Sequence, residues 1–180
     1  MPDVCDHKSV AGVLTDPRGL YVVGERSDGL GWALVAGHQD PHGTSENAMR
    51  AETKEEFGLT VTKLELLHTM RLPNLCSGKI LPGREGGHDW SVYRIETSDL
   101  NVQPDPREIS DFAWIDLDQM QQMVDRSLSN MRAGYRLAQW KGPFWEPPQI
   151  LVCQAIDLVR VSEPDRAMVL EHCRIHPNDR

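Results

Sequence analysis

The sequence has few cysteines, few aromatic residues and no long apolar run in its 180 residues. Its four cysteines are far apart and form no C-x-x-C pair, so we expect free thiols in a reducing compartment rather than a disulfide framework or a zinc site. No segment approaches the length of a membrane-spanning helix, and the N-terminus lacks the basic and apolar stretches of a signal peptide. These absences predict a cytoplasmic protein without membrane contact. The cysteines are Cys5, Cys76, Cys153 and Cys173.

Positive charge is also scarce, with 19 Lys and Arg against 27 Asp and Glu and a formal net charge of -8. Proteins that bind nucleic acid polymers by neutralising phosphates are usually basic, so we do not expect such a partner. An acidic protein can still bind a phosphorylated small molecule if local cations, backbone N–H groups or a metal offset the repulsion. The composition, 39% hydrophobic and 26% charged, is typical of globular proteins, and we predict one domain over residues 1–180.

The hydrophobic pattern predicts strands in the first part of the chain. Apolar runs at 9–14 and 20–23 flank the turn at 16–19 and predict a hairpin, and 32–35 is a third short run. After a polar loop, residues 46–57 predict a helix, which Thr44 or Ser45 would cap and Gly58 would end.

Three predicted strands follow in the rest of the chain, and the last third is mostly helical. The loop at 72–87 is rich in Gly and Pro, and long loops in compact domains are often functional. This order of elements indicates a mixed α/β fold whose strand order stays open. Strands are predicted at 59–70, 90–95 and 109–115, the start of a helix at 116–124, and a further helix from Pro147 onward.

Three glutamates in the predicted helix at 46–57 are candidates for chemistry. Glu52, Glu55 and Glu56 stand at i, i+3 and i+4 and therefore share one helix face, where their charges repel one another. A hard divalent cation, which prefers oxygen ligands, would remove this repulsion. A solvated acidic face is the alternative interpretation. The glycine-containing loop before the helix and the early stop at Gly58 favour the metal site.

The stretch from Gly37 to Leu59 resembles the Nudix box, G-x5-E-x7-R-E-U-x-E-E-x-G-U, in which U is an apolar residue. Gly37 matches the opening glycine, the three glutamates match the R-E and E-E glutamates, and Gly58 and Leu59 match the closing pair. The resemblance covers about residues 8–125. It implies an α/β class fold, a Nudix-type α/β/α sandwich with a mixed β-sheet, to which residues 126–180 add C-terminal helices.

The resemblance also implies an enzyme, a pyrophosphohydrolase dependent on Mg²⁺ or Mn²⁺. Its substrate would be nucleotide-like, with a diphosphate linkage: an ADP-ribose-like molecule, a nucleotide sugar, a dinucleotide or a nucleoside triphosphate. Glu52, Glu55, Glu56 and the carbonyl of Gly37 would hold the metal, which polarises the diphosphate and lowers the pKa of a bound water. Glu52 or Glu108 would orient or deprotonate that water. The catalytic candidates are therefore Glu52, Glu55, Glu56 and Glu108.

The sequence departs from the box at Gly43, where the family has its first Glu, and at Ala51, where it has Arg. Thr53 also stands at an apolar position. In the family the two missing charged residues position the loop against the helix, and losing both leaves no unpaired charge. The metal-binding carboxylates are kept, which favours a working enzyme. A catalytically weak Nudix-fold module that binds a nucleotide or regulates is the alternative.

Substrate-binding candidates lie in the box loop and in residues 84–94. Arg84 and His88 are placed to meet phosphate and Trp90 to stack on a base, while His38 lies next to Gly37. The alternative interpretation is that Trp90 packs in the core and that His38 is solvated. A cluster of basic and aromatic residues at 126–145 predicts a lid, a homodimer face or a helix packed on the sheet.

Overall fold

The computed structural model describes residues 7–40, 42–73 and 87–174. Most of the predicted loop at 72–87 therefore lies outside the described residues. Among the helices in these ranges, none is both long and apolar enough to cross a membrane. In chain order the elements are β1 (Lys8–Leu14), β2 (Tyr21–Arg26), β3 (Trp32–Ala33), β4 (Val35–His38), α1 (Ser45–Phe57), β5 (Val61–Leu72), β6 (His88–Thr97), β7 (Ile109–Ile115), α2 (Leu117–Arg132), a 3-10 turn (Leu137–Gln139), α3 (Pro147–Ala155) and α4 (Glu163–Cys173).

The strands form two sheets, one in the order β4-β1-β6-β5 and one in the order β3-β2-β7. The first sheet is mixed, because β1 runs parallel to β6 and antiparallel to β4. The predicted hairpin of β1 and β2 is wrong. The turn at 16–19 forms, but a single bridge between Thr15 and Tyr21 joins the two strands before they enter different sheets. The reason is that β1 is buried on both faces and has β4 and β6 as its neighbours.

Alternate side chains of β1 belong to two different hydrophobic clusters. Val10 and Leu14 pack with α1 residues such as Phe57. Ala11 and Val13 pack on the other face of the sheet, with residues of α2 and α3. Each large apolar side chain buried in these clusters contributes about 1.5–3 kcal/mol. The first sheet thus lies between two helical layers, which confirms the α/β/α sandwich with a mixed sheet.

Helix α1 begins and ends where the sequence predicts. The Thr44 side chain accepts a hydrogen bond from the N–H of Asn47, which satisfies one free donor of the first turn. Gly58 has φ +72° and its N–H donates to Lys54, a left-handed C-cap that glycine adopts without strain. The helix therefore has a fixed start next to the loop at 37–44.

The C-terminal third packs into the same core as the strands. Trp145 is fully buried, and it lies in one cluster with Val92 of β6 and Ile150 of α3. The Trp32 N–H donates to the carbonyl of Phe144 at 2.9 Å, and the Glu146 N–H donates to the carbonyl of Trp32 at 2.8 Å. Residues 144–146 therefore extend the second sheet beyond β3.

Candidate active site

Helix α1 is attached to β4 through Glu56. This side chain is 6% exposed, and its carboxylate accepts a hydrogen bond of 3.1 Å from the Ala36 N–H. A buried carboxylate is costly unless it has such partners. The bond fixes the helix against the strand that leads into the box loop.

Glu52 lies one turn earlier on α1 and covers Gly37. A Cβ added at Gly37 would lie 1.9 Å from the Glu52 carboxyl carbon, so the two residues are in direct contact. The Glu52 carboxylate also accepts a hydrogen bond from the backbone of His38. Position 37 therefore has no space for a side chain while Glu52 keeps this position.

Glu108, which directly precedes β7, completes a cluster of three carboxylates. Its carbonyl accepts a hydrogen bond of 2.8 Å from the Ser27 N–H, which ties it to the end of β2. One carboxylate oxygen each from Glu52, Glu56 and Glu108 lies within 4.8 Å of the other two. Glu55 is exposed on the same face of α1 and is not part of this group. The cluster offers the oxygen donors that Mg²⁺ and Mn²⁺ prefer.

The crowding changes the acidity of these groups. Burial raises the pKa of Glu52 to about 8, and the charges of Glu55 and Glu108 add to the rise. Burial also raises the pKa of Glu56 well above its usual range, with Glu52 and Glu108 adding to it and the Ala36 N–H opposing it. Carboxylates that repel one another in a partly buried site are what a divalent cation would stabilise, so the residues present fit such an ion.

Sequence reasoning missed Arg26, which lies at the end of β2 beyond the predicted strand at 20–23. Its guanidinium donates two hydrogen bonds to Asp28, of 2.5 and 3.1 Å. Its positive charge lowers the pKa of both Glu52 and Glu56. No spacing within the box points to this residue, because it lies on β2, before the box begins.

The predicted substrate-binding residues differ in their surroundings. His38 is exposed, and its ring centroid lies 5.4 Å from that of the fully buried His88. His88 in turn lies 5.0 Å from His7, a buried residue with φ +59° that the sequence did not suggest. Trp90 is 7% exposed and packs in the core, as its alternative interpretation states. Arg84 lies outside the described residues.

In the described fold, Glu52 of α1 packs against Gly37 of the loop before the helix, which is the arrangement that the Nudix box implies. The NUDIX domain profile matches residues 6–135. A relative named RNA pyrophosphohydrolase, from Erythrobacter litoralis, is 27% identical over 133 residues, which are 66% of this chain and 81% of the relative.

Solved structures share the fold at low sequence identity. The Nudix domain of Shewanella oneidensis NrtR, complexed with ADP ribose, is 18% identical with a TM-score of 0.55, and the match covers 88% of this chain and 87% of that one. A MutT protein from Methanosarcina mazei is 17% identical with a TM-score of 0.52, over 67% of this chain and 84% of that one.

The chain belongs to the Nudix domain family. Within that family it is a hydrolase of the pyrophosphohydrolase class, which acts on pyrophosphate bonds.

Proposed function

We propose that this chain hydrolyses a diphosphate linkage in a nucleotide-like substrate, with Mg²⁺ or Mn²⁺ held by glutamates of α1 and by Glu108. The observation that carries the proposal is the cluster of Glu52, Glu56 and Glu108, whose carboxylate oxygens lie within 4.8 Å of one another. Glu55 and the carbonyl of Gly37 complete the proposed set of ligands. This set keeps the earlier assignment and adds Glu108 to it.

The roles of the glutamates follow from their burial and partners. When bound, a divalent cation would polarise the diphosphate and lower the pKa of a coordinated water. Glu56 is buried and held by the Ala36 N–H, so it suits a fixed ligand rather than a group that exchanges protons with solvent. Glu52 and Glu108 are more accessible, and either carboxylate can accept a proton from an attacking water.

The substrate's phosphates would lie beside the loop that carries His38. The exposure of His38 next to Gly37 supports a role for its ring in binding phosphate, and the buried His88 beside it would hold that ring in position. The relative named RNA pyrophosphohydrolase and the neighbour complexed with ADP ribose give two substrate types to compare. Because the net charge of this chain is -8, we favour a small nucleotide-like substrate over a long RNA.

A hydrolysis screen tests the proposal. Purified protein with Mg²⁺ or Mn²⁺ is offered ADP-ribose, nucleotide sugars, dinucleotides, nucleoside triphosphates and a 5′-triphosphate RNA. The variant Glu56→Gln removes one proposed ligand. Glu96→Gln is the matched control, since Glu96 pairs with Lys63 on the exposed edge of the first sheet.

We expect metal-dependent release of a nucleoside monophosphate or of diphosphate. The Glu56→Gln variant should lose more than the roughly 10–100-fold that removal of an outer-shell partner costs, while Glu96→Gln keeps its turnover. Full turnover in Glu56→Gln would refute the assignment. If no substrate of the panel is hydrolysed but one of the nucleotides stabilises the protein against thermal unfolding, the result would instead support the binding-module alternative.

A further inference from the structure

The box loop at 37–44 leads from β4 to α1, and the side chain of Gln39 forms a hydrogen bond across it. The Gln39 Nε2 donates to the carbonyl of Gly43 at 2.8 Å, and Gln39 is half-buried. A carbonyl oxygen only accepts hydrogen bonds, so the amide nitrogen of Gln39 must face it. Gly43 has φ +84°, a conformation that glycine adopts without strain. A bond between two neutral groups therefore closes the loop.

The backbone of Gln39 is held by the first sheet. Its N–H donates to the carbonyl of Lys8 at 2.9 Å, which continues the pairing of β4 with β1 past His38. Its carbonyl accepts a hydrogen bond of 2.8 Å from the His42 N–H. Gln39 is thus fixed to β1 by its backbone, while its side chain reaches the residue that directly precedes the cap of α1.

The side chain of Gln39 lies on the side of β4 that faces α1. Successive side chains of a strand point to opposite sides, so positions 35, 37 and 39 share one side. Val35 packs in the cluster that contains residues of α1, and Gly37 touches Glu52. The end of β4 and α1 are therefore joined at two points on the same side. Gly37 meets Glu52 in the body of the helix, and Gln39 meets Gly43 just before its first turn.

We propose that Gln39 is a positioning residue for the carboxylate cluster. Its amide fixes the start of α1 to the end of β4, and this sets where Glu52 meets Gly37. An ion pair between positions 43 and 51 cannot do this, because Gly43 and Ala51 carry no charge. Since the bond joins neutral groups, it holds the loop without adding charge beside the carboxylates. The proposal rests on the proposed function, because it concerns the same site.

Mn²⁺ titration of three variants of the full chain tests the role of Gln39. Gln39→Glu keeps the shape of the side chain but loses the donor, Gln39→Met loses all hydrogen bonding, and Gln39→Lys keeps a donor. We expect the affinity for Mn²⁺ to fall by roughly 10–100-fold in Gln39→Glu and Gln39→Met, the usual cost of removing an outer-shell partner. Gln39→Lys should keep most of the affinity.

A purely electrostatic effect of position 39 predicts the opposite order. A carboxylate added near the cluster would attract Mn²⁺ and an ammonium group would repel it, so Gln39→Glu would bind Mn²⁺ more tightly and Gln39→Lys more weakly. Packing alone predicts that Gln39→Met keeps its affinity, because its side chain has nearly the same length. Either outcome would overturn the proposal. Gln122→Glu and Gln122→Lys, on the exposed side of α2, are the matched controls and should bind Mn²⁺ like the unaltered protein.

Amide hydrogen exchange in chelator separates this proposal from the metal site itself. The Asn47 N–H donates to the Thr44 side chain at 3.2 Å, so its exchange rate reports on the first turn of α1. We expect this exchange to become about 2- to 10-fold faster in Gln39→Glu and Gln39→Met, the range that corresponds to the loss of one hydrogen bond. Gln39→Lys should exchange like the unaltered protein.

Unchanged exchange at Asn47 in all three variants would refute the role of Gln39, whether or not Mn²⁺ binds. The proposed function can fail separately. If the unaltered protein does not bind Mn²⁺ but the exchange rates follow the expected order, the proposed metal site fails and the role of Gln39 in fixing the start of α1 stands.

Discussion

Gly37 touches the Glu52 carboxylate so closely that even a methyl group does not fit there. In Gly37→Ala the new Cβ would lie 1.9 Å from the carboxyl carbon, and Glu52 must move out of the cluster. We expect at least the 10–100-fold loss in kcat/KM that disturbed ligand positioning causes, with weaker Mn²⁺ binding. Steady-state kinetics and Mn²⁺ titration measure both effects.

Gly43→Ala is the control for Gly37→Ala. Gly43 lies in the same loop with φ +84°, and no atom lies within 4 Å of an added Cβ. The variant should lose stability through backbone strain and keep most of its turnover. Equal loss of turnover in both variants would show that loop strain, rather than contact with Glu52, is responsible.

The raised pKa of Glu52 predicts a pH dependence of stability in the absence of metal. A carboxyl with a folded-state pKa of about 8 binds more protons in the folded than in the unfolded protein between about pH 4.5 and 8. Its contribution to the free energy of unfolding therefore falls as pH rises through this window, by at most about 1.4 kcal/mol per pH unit. Urea unfolding in chelator at pH 5 to 8 should show this fall.

Glu52→Gln should make that pH profile flatter, because the amide does not titrate. The remaining slope would come from Glu56, whose pKa is raised by burial as well. Unchanged slopes in the variant would mean that Glu52 does not titrate in this window. Saturating Mn²⁺ should abolish most of the fall in the unaltered protein, since a bound cation favours the charged carboxylates.

Local spacing predicts the part of the site that α1 carries, and no more than that. Glu52 and Glu56 share a helix face because they are four residues apart in the sequence. Their proximity can therefore be predicted without knowing how the strands pair. Glu108 was suggested by resemblance and lies in the described cluster. Arg26 and His7 were not suggested, because each reaches its neighbours through strands that are distant in the chain.

At the scale of single elements, the caps of α1 hold the helix in register with the box loop. Thr44→Ala should cost about 1 kcal/mol, since it removes the hydrogen bond to the Asn47 N–H. Gly58→Ala should cost more, about 1–3 kcal/mol, because φ is +72° and the new Cβ would lie 2.9 Å from the carbonyl oxygen of Gln103. Denaturant unfolding measures the free energy of unfolding of both variants. A smaller loss in Gly58→Ala than in Thr44→Ala would contradict this prediction.

Elements with strong local signals were predicted well, and strand partners were not. The cap residues of α1 were confirmed, and β7 has the predicted bounds of 109–115. The helix start predicted at 116–124 becomes α2, which continues to Arg132 because its buried face continues through Leu128 and Met131. The turn at 16–19 suggested a hairpin, but β1 pairs with β6 over a long separation in sequence, which turn chemistry does not reveal.

For the molecule as a whole, the C-terminal third supplies a large part of one hydrophobic cluster. Trp145 is fully buried there, and Ile150 and Leu151 of α3 are 0% and 2% exposed. Trp145→Ala should therefore cost about 3–5 kcal/mol, the usual range for a large aromatic residue in a core. Denaturant unfolding measures this loss.

A variant truncated after Arg132 tests whether the C-terminal helices are needed for the core at about residues 8–125 to fold. It would lack α3, α4 and the segment that extends β3, and its apolar sheet face would be exposed. We expect no cooperative unfolding and weak near-ultraviolet circular dichroism. A sharp transition with an unaltered Mn²⁺ response would show instead that the first 132 residues form an independent domain, which would contradict the predicted single domain over residues 1–180.

The extension of β3 by residues 144–146 has a consequence for how the molecule folds. The contacts between Trp32 and this segment, and those between β1 and β6, join parts of the chain that are far apart in sequence. Chains rich in such distant contacts fold slowly, because long loops must close before any contact is gained. Until residues 144–146 arrive, the edge of β3 is open to other chains, so aggregation competes with the last step of folding.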